Sequence, residues 1–493
     1  SLGRNYDFSS VMPQHLAPVN GTAQIETAPS DGYYNFNLNP FKNYLFTAKA
    51  EFKVNKDLTV TAEPYYWYGY GTGGGQLQTL TEGRTATQTM AVGVRDVNGD
   101  GDLLDRVMVY GSSLTETNRP GITFKANYRI ENHNLNVGYW SERAEHIQTG
   151  PRVSFDNFGK SSNLWLDNKS LYILRSDGKP FQARDWKTIS TATSLFAQDN
   201  ISLMQDQLTV QLAIRNSAIE RDFTNYANAG TFGVGRADLD YQINRKYSKV
   251  LPSFGAKFNL DNEKSIFFNA AENFRAPSNF VLSNLYTGGT VVNGTLTGAT
   301  LRNPVVGIET STNFDFGYRL QSKDTSFSSS IFMVNFKDRI ASAWDPVTQT
   351  SLDYNVGNVT VKGLELELGQ KLNKNLTAYA SLTYTNSLIQ SDLKVSSTLT
   401  EPTAGKQMPD TPKLMAAIAL SYKEGPVFGQ ITAKHTGKAF STLVNDQVMD
   451  AYALLNLTVG YKLPETAFFK APEIRLNVDN WTNTEYKRIS SPS

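Results

Sequence analysis

Period-2 alternation runs through nearly the whole chain and decides what it can fold into. In 46–54, Phe46, Ala48, Ala50, Phe52 and Val54 share one face, and Thr47, Lys49, Glu51 and Lys53 the other. A polar turn follows at Asn55-Lys56-Asp57. Leu58, Val60, Ala62 and Pro64 then alternate against Thr59, Thr61 and Glu63. This is a strand with one face in an apolar medium and one in water. The pattern returns with Ile122, Phe124, Ala126, Tyr128 and Ile130 opposed by Thr123, Lys125, Asn127 and Arg129. Further short turns fall at 131–134, 204–207, 260–264, 321–325, 373–375, 423–426 and 464–472. The other connections are long, about 50 residues after Tyr70 and about 45 after Arg143, shortening to about 12 near Asp450. Long loops without secondary structure are uncommon unless functional. No segment has helical periodicity and no linker divides the chain, so residues 1–493 read as one all-β unit.

Alternation does not say which face is inside. In a soluble sandwich the apolar face is the core; in a transmembrane antiparallel β-barrel it meets lipid and the charged face lines a wet lumen. Three features favour the barrel. Turns alternate short and long, which membrane barrels show and sandwiches have no reason to show. Aromatics gather at strand ends: in "EPYYWYGYGTGGG" (63–75), Tyr66, Tyr68 and Tyr70 continue the apolar face, about 9–13 residues from the turn. That is roughly the length of a tilted membrane strand, and rings with a polar tip suit the lipid–water interface. Finally, the opposite face carries Lys49, Glu51, Lys53, Lys125, Arg129, Glu365, Glu367, Arg475 and Asp479. Charged residues make up 19% of the chain, below the roughly 25% usual in soluble proteins. No run of about 18 apolar residues exists, so no helix spans a bilayer. A net charge of +1 argues against nucleic-acid binding driven by bulk charge. Without cysteine there is neither a disulfide nor a thiolate metal site.

The sharpest local chemistry is "DVNGDGDLLD" (96–105). Asp96, Asn98 and Asp100 stand at positions 1, 3 and 5 of a calcium loop, with Gly101 at the sharp-turn position 6. Asp102 and Asp105 are placed to complete an oxygen cage. Position 12 is Val107 rather than Glu, so a solvated acidic turn stands beside calcium as a reading. His15, His133, His146 and His435 are scattered, with no metal or nucleophile spacing. No Ser/His constellation is present, which points away from an enzyme. Arg275 and Pro277 in "FRAPS" mark the end of a strand.

Several stretches resemble TonB-dependent outer-membrane receptors: "AENFRAPSNF" (271–280), "ETSTNFDFGYRL" (309–320), "FMVNFKDRI" (332–340), "NVGNVTVKGLELEL" (355–368), "GKQMPDTPKLMAAIALSY" (405–422), "LLNLTVGYKL" (454–463) and "LNVDNWTNTEY" (476–486). The likeness is densest over 190–486. It implies a 22-strand barrel with a plugged lumen, of which the eight short turns account for about sixteen strands. The expectation is a barrel fragment: 1–42 an extracellular loop, 43–486 strands and loops, and the plug domain with its TonB-contacting box outside the chain. The strands near 43–54 and 473–481 are then unpaired edges. The resemblance further implies a bacterial outer-membrane receptor taking up a scarce small molecule, foremost a ferric siderophore, with energy from the TonB system. It implies no required cofactor beyond the calcium that the acidic loop suggests. A passive porin and a carbohydrate or cofactor receptor of the same family are the alternatives.

Overall fold

The computed structural model describes residues 15–28, 39–73, 76–83, 93–155, 163–228, 237–283, 285–292, 295–301, 305–345, 350–395 and 399–487. Sixteen wall strands form one antiparallel sheet. They are β1 (Phe41–Thr47, continuing as Ala50–Lys53), β2 (Leu58–Thr72), β3 (Leu114–Ile130), β4 (His133–Val153), β5 (Gln182–Leu203), β6 (Leu208–Asn225), β7 (Tyr241–Asn259) and β8 (Lys264–Arg275). The second half is β9 (Glu309–Gln321), β10 (Thr325–Lys337), β11 (Val359–Lys371), β12 (Leu376–Ile389), β13 (Leu414–Glu424), β14 (Val427–Thr436), β15 (Tyr452–Lys462) and β16 (Glu473–Val478). Each pairs with its neighbours in sequence. Among the described residues β1 pairs only with β2, and β16 only with β15, so both edges of the sheet are open as expected. The first strand starts at Phe41, two residues before its expected start, and the last ends at Val478, leaving Asp479 beyond it.

All eight expected short turns join consecutive wall strands. Three share one local device. Asn55 Oδ1 accepts the N–H groups of Asp57 and Leu58, both at 2.8 Å. Asp261 does the same for Glu263 and Lys264, and Asn373 for Asn375 and Leu376. A short polar side chain that bonds its own backbone makes the turn without help from the rest of the fold. The interruption of β1 at Ala48 also has a local cause. Its partner Pro64 accepts the Ala48 N–H at 3.1 Å but has no N–H to return.

The apolar face of the sheet is bare. Phe46, Phe52 and Phe124 are 65%, 63% and 46% exposed, and Leu195, Leu212, Ile214, Val250, Ile331 and Ile418 are likewise exposed. On β7 this band runs from Val250 to Phe258; on β4 it covers Leu135, Val137 and Tyr139. Toward the long-loop end the same face turns charged: Glu145 meets Lys187 at 3.2 Å, and Glu220 meets Lys246 at 3.4 Å. An exposed apolar belt of about nine residues bounded by ion pairs has the height of a bilayer core.

On the other face, aromatic rings lie across glycines of the next strand. A Cβ on Gly317 would fall 2.4 Å from the ring of Phe267, and one on Gly460 2.1 Å from that of Phe428. Phe196 covers Gly138 in the same way. Arg319 and Arg475 sit over the Phe267 and Phe428 rings, 4.6 and 5.6 Å from their centroids. The glycines leave room for each ring to lie flat, and the ring shields the bare backbone.

The long loops are not structureless, contrary to expectation. Five carry hairpins of their own: Gln76–Thr81 with Arg106–Gly111, Tyr286–Val292 with Thr295–Leu301, Ile340–Asp345 with Thr350–Asn355, and two short pairs near 393–401 and 439–449. Phe280–Ser283 forms one helical turn, where the sequence showed no helical period. The first hairpin is covered on both faces. Leu77, Met108 and Tyr110 pack with Val153 and Phe155, and Leu80 and Val109 with Val94, Ile173 and Phe181. Among the described residues the buried apolar side chains thus gather at the loop end, and the wall beneath has none of the sandwich core that the rejected soluble reading requires.

Candidate functional site

The polar face at the loop end is a network of charged and aromatic side chains. The Tyr65 hydroxyl donates to Glu142 Oε2 at 2.6 Å, accepts from Trp140 Nε1 at 3.1 Å, and its ring covers Gly121. Arg119 forks onto the same carboxylate, at 2.7 Å to Oε1 and 3.0 Å to Oε2, and lies over the Trp67 ring. Lower down, Lys125 bridges Glu63 at 2.7 Å. Above, His146 pairs with the Thr117 hydroxyl at 2.6 Å, Arg184 donates to Ser113 Oγ at 2.7 Å and Arg221 to Ser190 Oγ at 3.1 Å. The period-2 pattern puts these residues on one face, and the pairing register brings them together.

The segment after β8 roofs this network. Residue 275 ends the strand, as "FRAPS" suggested. The chain then crosses the polar face to β5 and β4, where Asn279 Nδ2 donates to Gln148 Oε1 at 2.6 Å and to Thr188 Oγ1 at 3.2 Å. Phe280 meets Trp186 edge-on, and Leu282 and Leu285 pack with Trp186, Phe223 and Ile243. Ser278 donates to Asp353 of the 340–355 hairpin at 3.1 Å. A segment leaving β8 reaches β4 only if the polar face is concave, so this face lines a lumen and the roof narrows it. Asn279 and the rings after it went unread in the sequence, since one Asn after a strand end carries no periodic signal.

The expected interface aromatics divide. Tyr66 and Tyr68 lie on the outward face at the upper rim of the apolar belt, with hydroxyls donating to Asn118 at 2.7 Å and Glu116 at 3.4 Å. Tyr68 also stacks on Tyr44. Tyr70 is turned into the loop layer: its hydroxyl donates to the Trp165 carbonyl at 3.1 Å and its ring packs against Trp165. Burial pushes the Tyr172 hydroxyl in the same layer up to about 12.

The acidic loop also assembles differently from its sequence spacing. Carboxylate oxygens of Glu82, Asp102 and Asp105 lie within 4.8 Å of one another. Glu82 was not among the residues expected there. Asp96 is spent on the turn, accepting the N–H groups of Gly99 at 2.6 Å and Gly101 at 2.9 Å. Both glycines have positive φ, +78° and +94°, as a sharp turn needs. Asn98 accepts from the Asp100 N–H and donates to Asp105 at 2.6 Å. Burial raises the Glu82 carboxyl; N–H groups of Val97 and Asn98 oppose this, and Asp96 and Asp105 add to it. The histidines remain dispersed, His15 on Glu26 and His133 on Asp199.

A concave antiparallel sheet with a bare apolar belt outside, a polar lumen inside and folded loops at one end is the wall of an outer-membrane-type β-barrel. This chain belongs to the TonB-dependent receptor-like β-barrel family, whose model matches residues 2–480. It is 25% identical over 278 residues, 52% of this chain and 70% of the other, to an uncharacterized TonB-dependent receptor of Haemophilus influenzae. Its fold is similar to that of the siderophore receptor PiuA of Acinetobacter baumannii, with TM-score 0.64 and 16% identity over 95% of this chain and 64% of that one. It is similar too to the ferric yersiniabactin uptake receptor FyuA of Yersinia pestis, with TM-score 0.59 and 12% identity over 92% and 59%. The chain spans less than two thirds of the length of these two solved receptors.

Proposed function

We propose that this chain is the wall and loop layer of a bacterial outer-membrane receptor that takes up a metal chelate, foremost a ferric siderophore, using energy from TonB. Further strands join its two open edges to make a 22-strand barrel, residues 15–28 belong to the outside loop layer, and a plug fills the lumen. The observation that carries the reading is the roofed, concave polar face at the loop end. Arg221 there suits an anionic chelate, and Trp67, Trp140 and Tyr65 suit its aromatic or apolar groups. A water-filled porin has no use for a roof of packed rings over its lumen. Tyr66 and Tyr68 stand at the headgroup level of the surrounding lipid.

The test is uptake of radiolabelled ferric chelates by cells that depend on this receptor for iron, with and without functional TonB. Saturable uptake that vanishes without TonB is expected. Uptake that rises linearly with chelate concentration and ignores TonB would establish a porin instead.

A further inference from the structure

We propose that Glu82, Asp102 and Asp105 hold a calcium ion that fastens the loop layer together. The reading is independent of which molecule the receptor carries. Glu82 is only 2% exposed and Asp105 is fully buried. Among the described residues none of these carboxylates has an ion-pair partner. Three acids within 4.8 Å repel one another, and burial removes the water that would screen them.

The hydrogen bonds leave one oxygen of the cluster to spare. Glu82 Oε1 takes the N–H groups of Val97 at 2.5 Å and Asn98 at 3.3 Å, while its Oε2 is buried with no partner among the described residues. Buried carboxylate oxygens normally have partners, and a bound cation supplies one to Glu82 Oε2. The carboxylates of Asp102 and Asp105 each accept N–H groups and keep lone pairs for a metal. Every donor is oxygen; among the described residues no imidazole joins the three acids, and the chain has no thiol. An all-oxygen, strongly anionic set suits a hard divalent cation. Irregular loop carboxylates suit calcium, with its 6–8 flexible ligands, better than magnesium, which demands an octahedron.

The site sits where three segments meet. Glu82 directly follows the strand Gln76–Thr81, which pairs with Arg106–Gly111, and Asp102 and Asp105 belong to the turn-rich loop before that partner. The stretch 15–26 is tied to the same carboxylates: the Gly21 N–H donates to Asp102 Oδ2 and the Gln24 N–H to Asp105 Oδ1, both at 2.6 Å. Asn20 Nδ2 donates to the Asp100 carbonyl at 2.8 Å. Bound calcium neutralises the cluster and locks these three pieces against one another.

The experiment is a calorimetric titration of CaCl2 into the full receptor in detergent, stripped with chelator, beside Glu82→Gln and Asp102→Asn variants. Heat-modifiable migration on gels confirms that each barrel is folded. One calcium per chain is expected, in the roughly 10⁻⁴–10⁻³ M range of extracellular modules. Each variant should weaken it at least about tenfold, and MgCl2 should not compete at equal concentration. Calcium should also slow proteolysis of the 76–111 loop in the stripped receptor, and less so in the variants. A stripped, folded receptor that takes up no calcium to about 10 mM, well above that range, would overturn the proposal. So would variants that bind as the parent does.

Discussion

Phe124 and Lys125 are adjacent in sequence and face opposite media. Phe124 lies mid-belt on the bare outward face, whereas Lys125 points into the lumen and pairs with Glu63. In a complete barrel, Phe124→Arg should therefore cost about 2–4 kcal/mol, the penalty for a cation near the bilayer midplane. Lys125→Ala loses one partly exposed ion pair, at most about 1 kcal/mol. Folding titrations into lipid vesicles measure both, and equal penalties would contradict the assigned faces. Residues of this kind were legible in the sequence because period-2 alternation needs no partner to be seen. So were Asn55, Asp261 and Asn373, whose turn chemistry is confined to two or three neighbouring residues. Glu82 was not legible. It stands outside the spaced acids of 96–105, and only the pairing of Gln76–Thr81 with Arg106–Gly111 brings it to them.

Among the elements, the wall strands and the loop hairpins obey different rules. Each wall strand has one lipid face and one wet face, so its pattern is clean. The hairpin Gln76–Thr81/Arg106–Gly111 is covered on both faces. Its second strand, "RVMVYG", therefore reads as a continuous apolar run with no alternation, and periodicity alone does not distinguish such a run from other buried segments. The sixteen wall strands were thus readable and the loop layer was not. The two layers should also respond separately to mutation. Met108 is nearly fully buried between Leu77 and Tyr110. Met108→Ala should destabilise the loop layer by roughly 2–5 kcal/mol while leaving the wall intact. Limited proteolysis should then cut within 76–111 much faster than in the parent, with heat-modifiable migration of the barrel unchanged. Loss of the barrel itself would mean that the loop core and the wall fold as one unit.

For the whole molecule, the central claim is that the sheet separates lipid from water, with Leu212, Ile214, Val250 and Phe254 outside and Gln211, Ala213, Ser217 and Ser253 inside. The claim rests on the exposed belt, on the ion pairs above it and on a roof that only a concave polar face can hold. The chain has no cysteine, so it adds no background to single cysteines placed along β6 and β7. Spin labels at these eight positions of the complete receptor in bilayers report collisions with oxygen, which concentrates in lipid, and with a water-soluble nickel chelate. The account predicts that 212, 214, 250 and 254 favour oxygen, that 211, 213, 217 and 253 do not, and that the preference reverses with period 2. Labels at 212, 214, 250 and 254 that are immobile and closed to both reagents would place them in a packed core and contradict it.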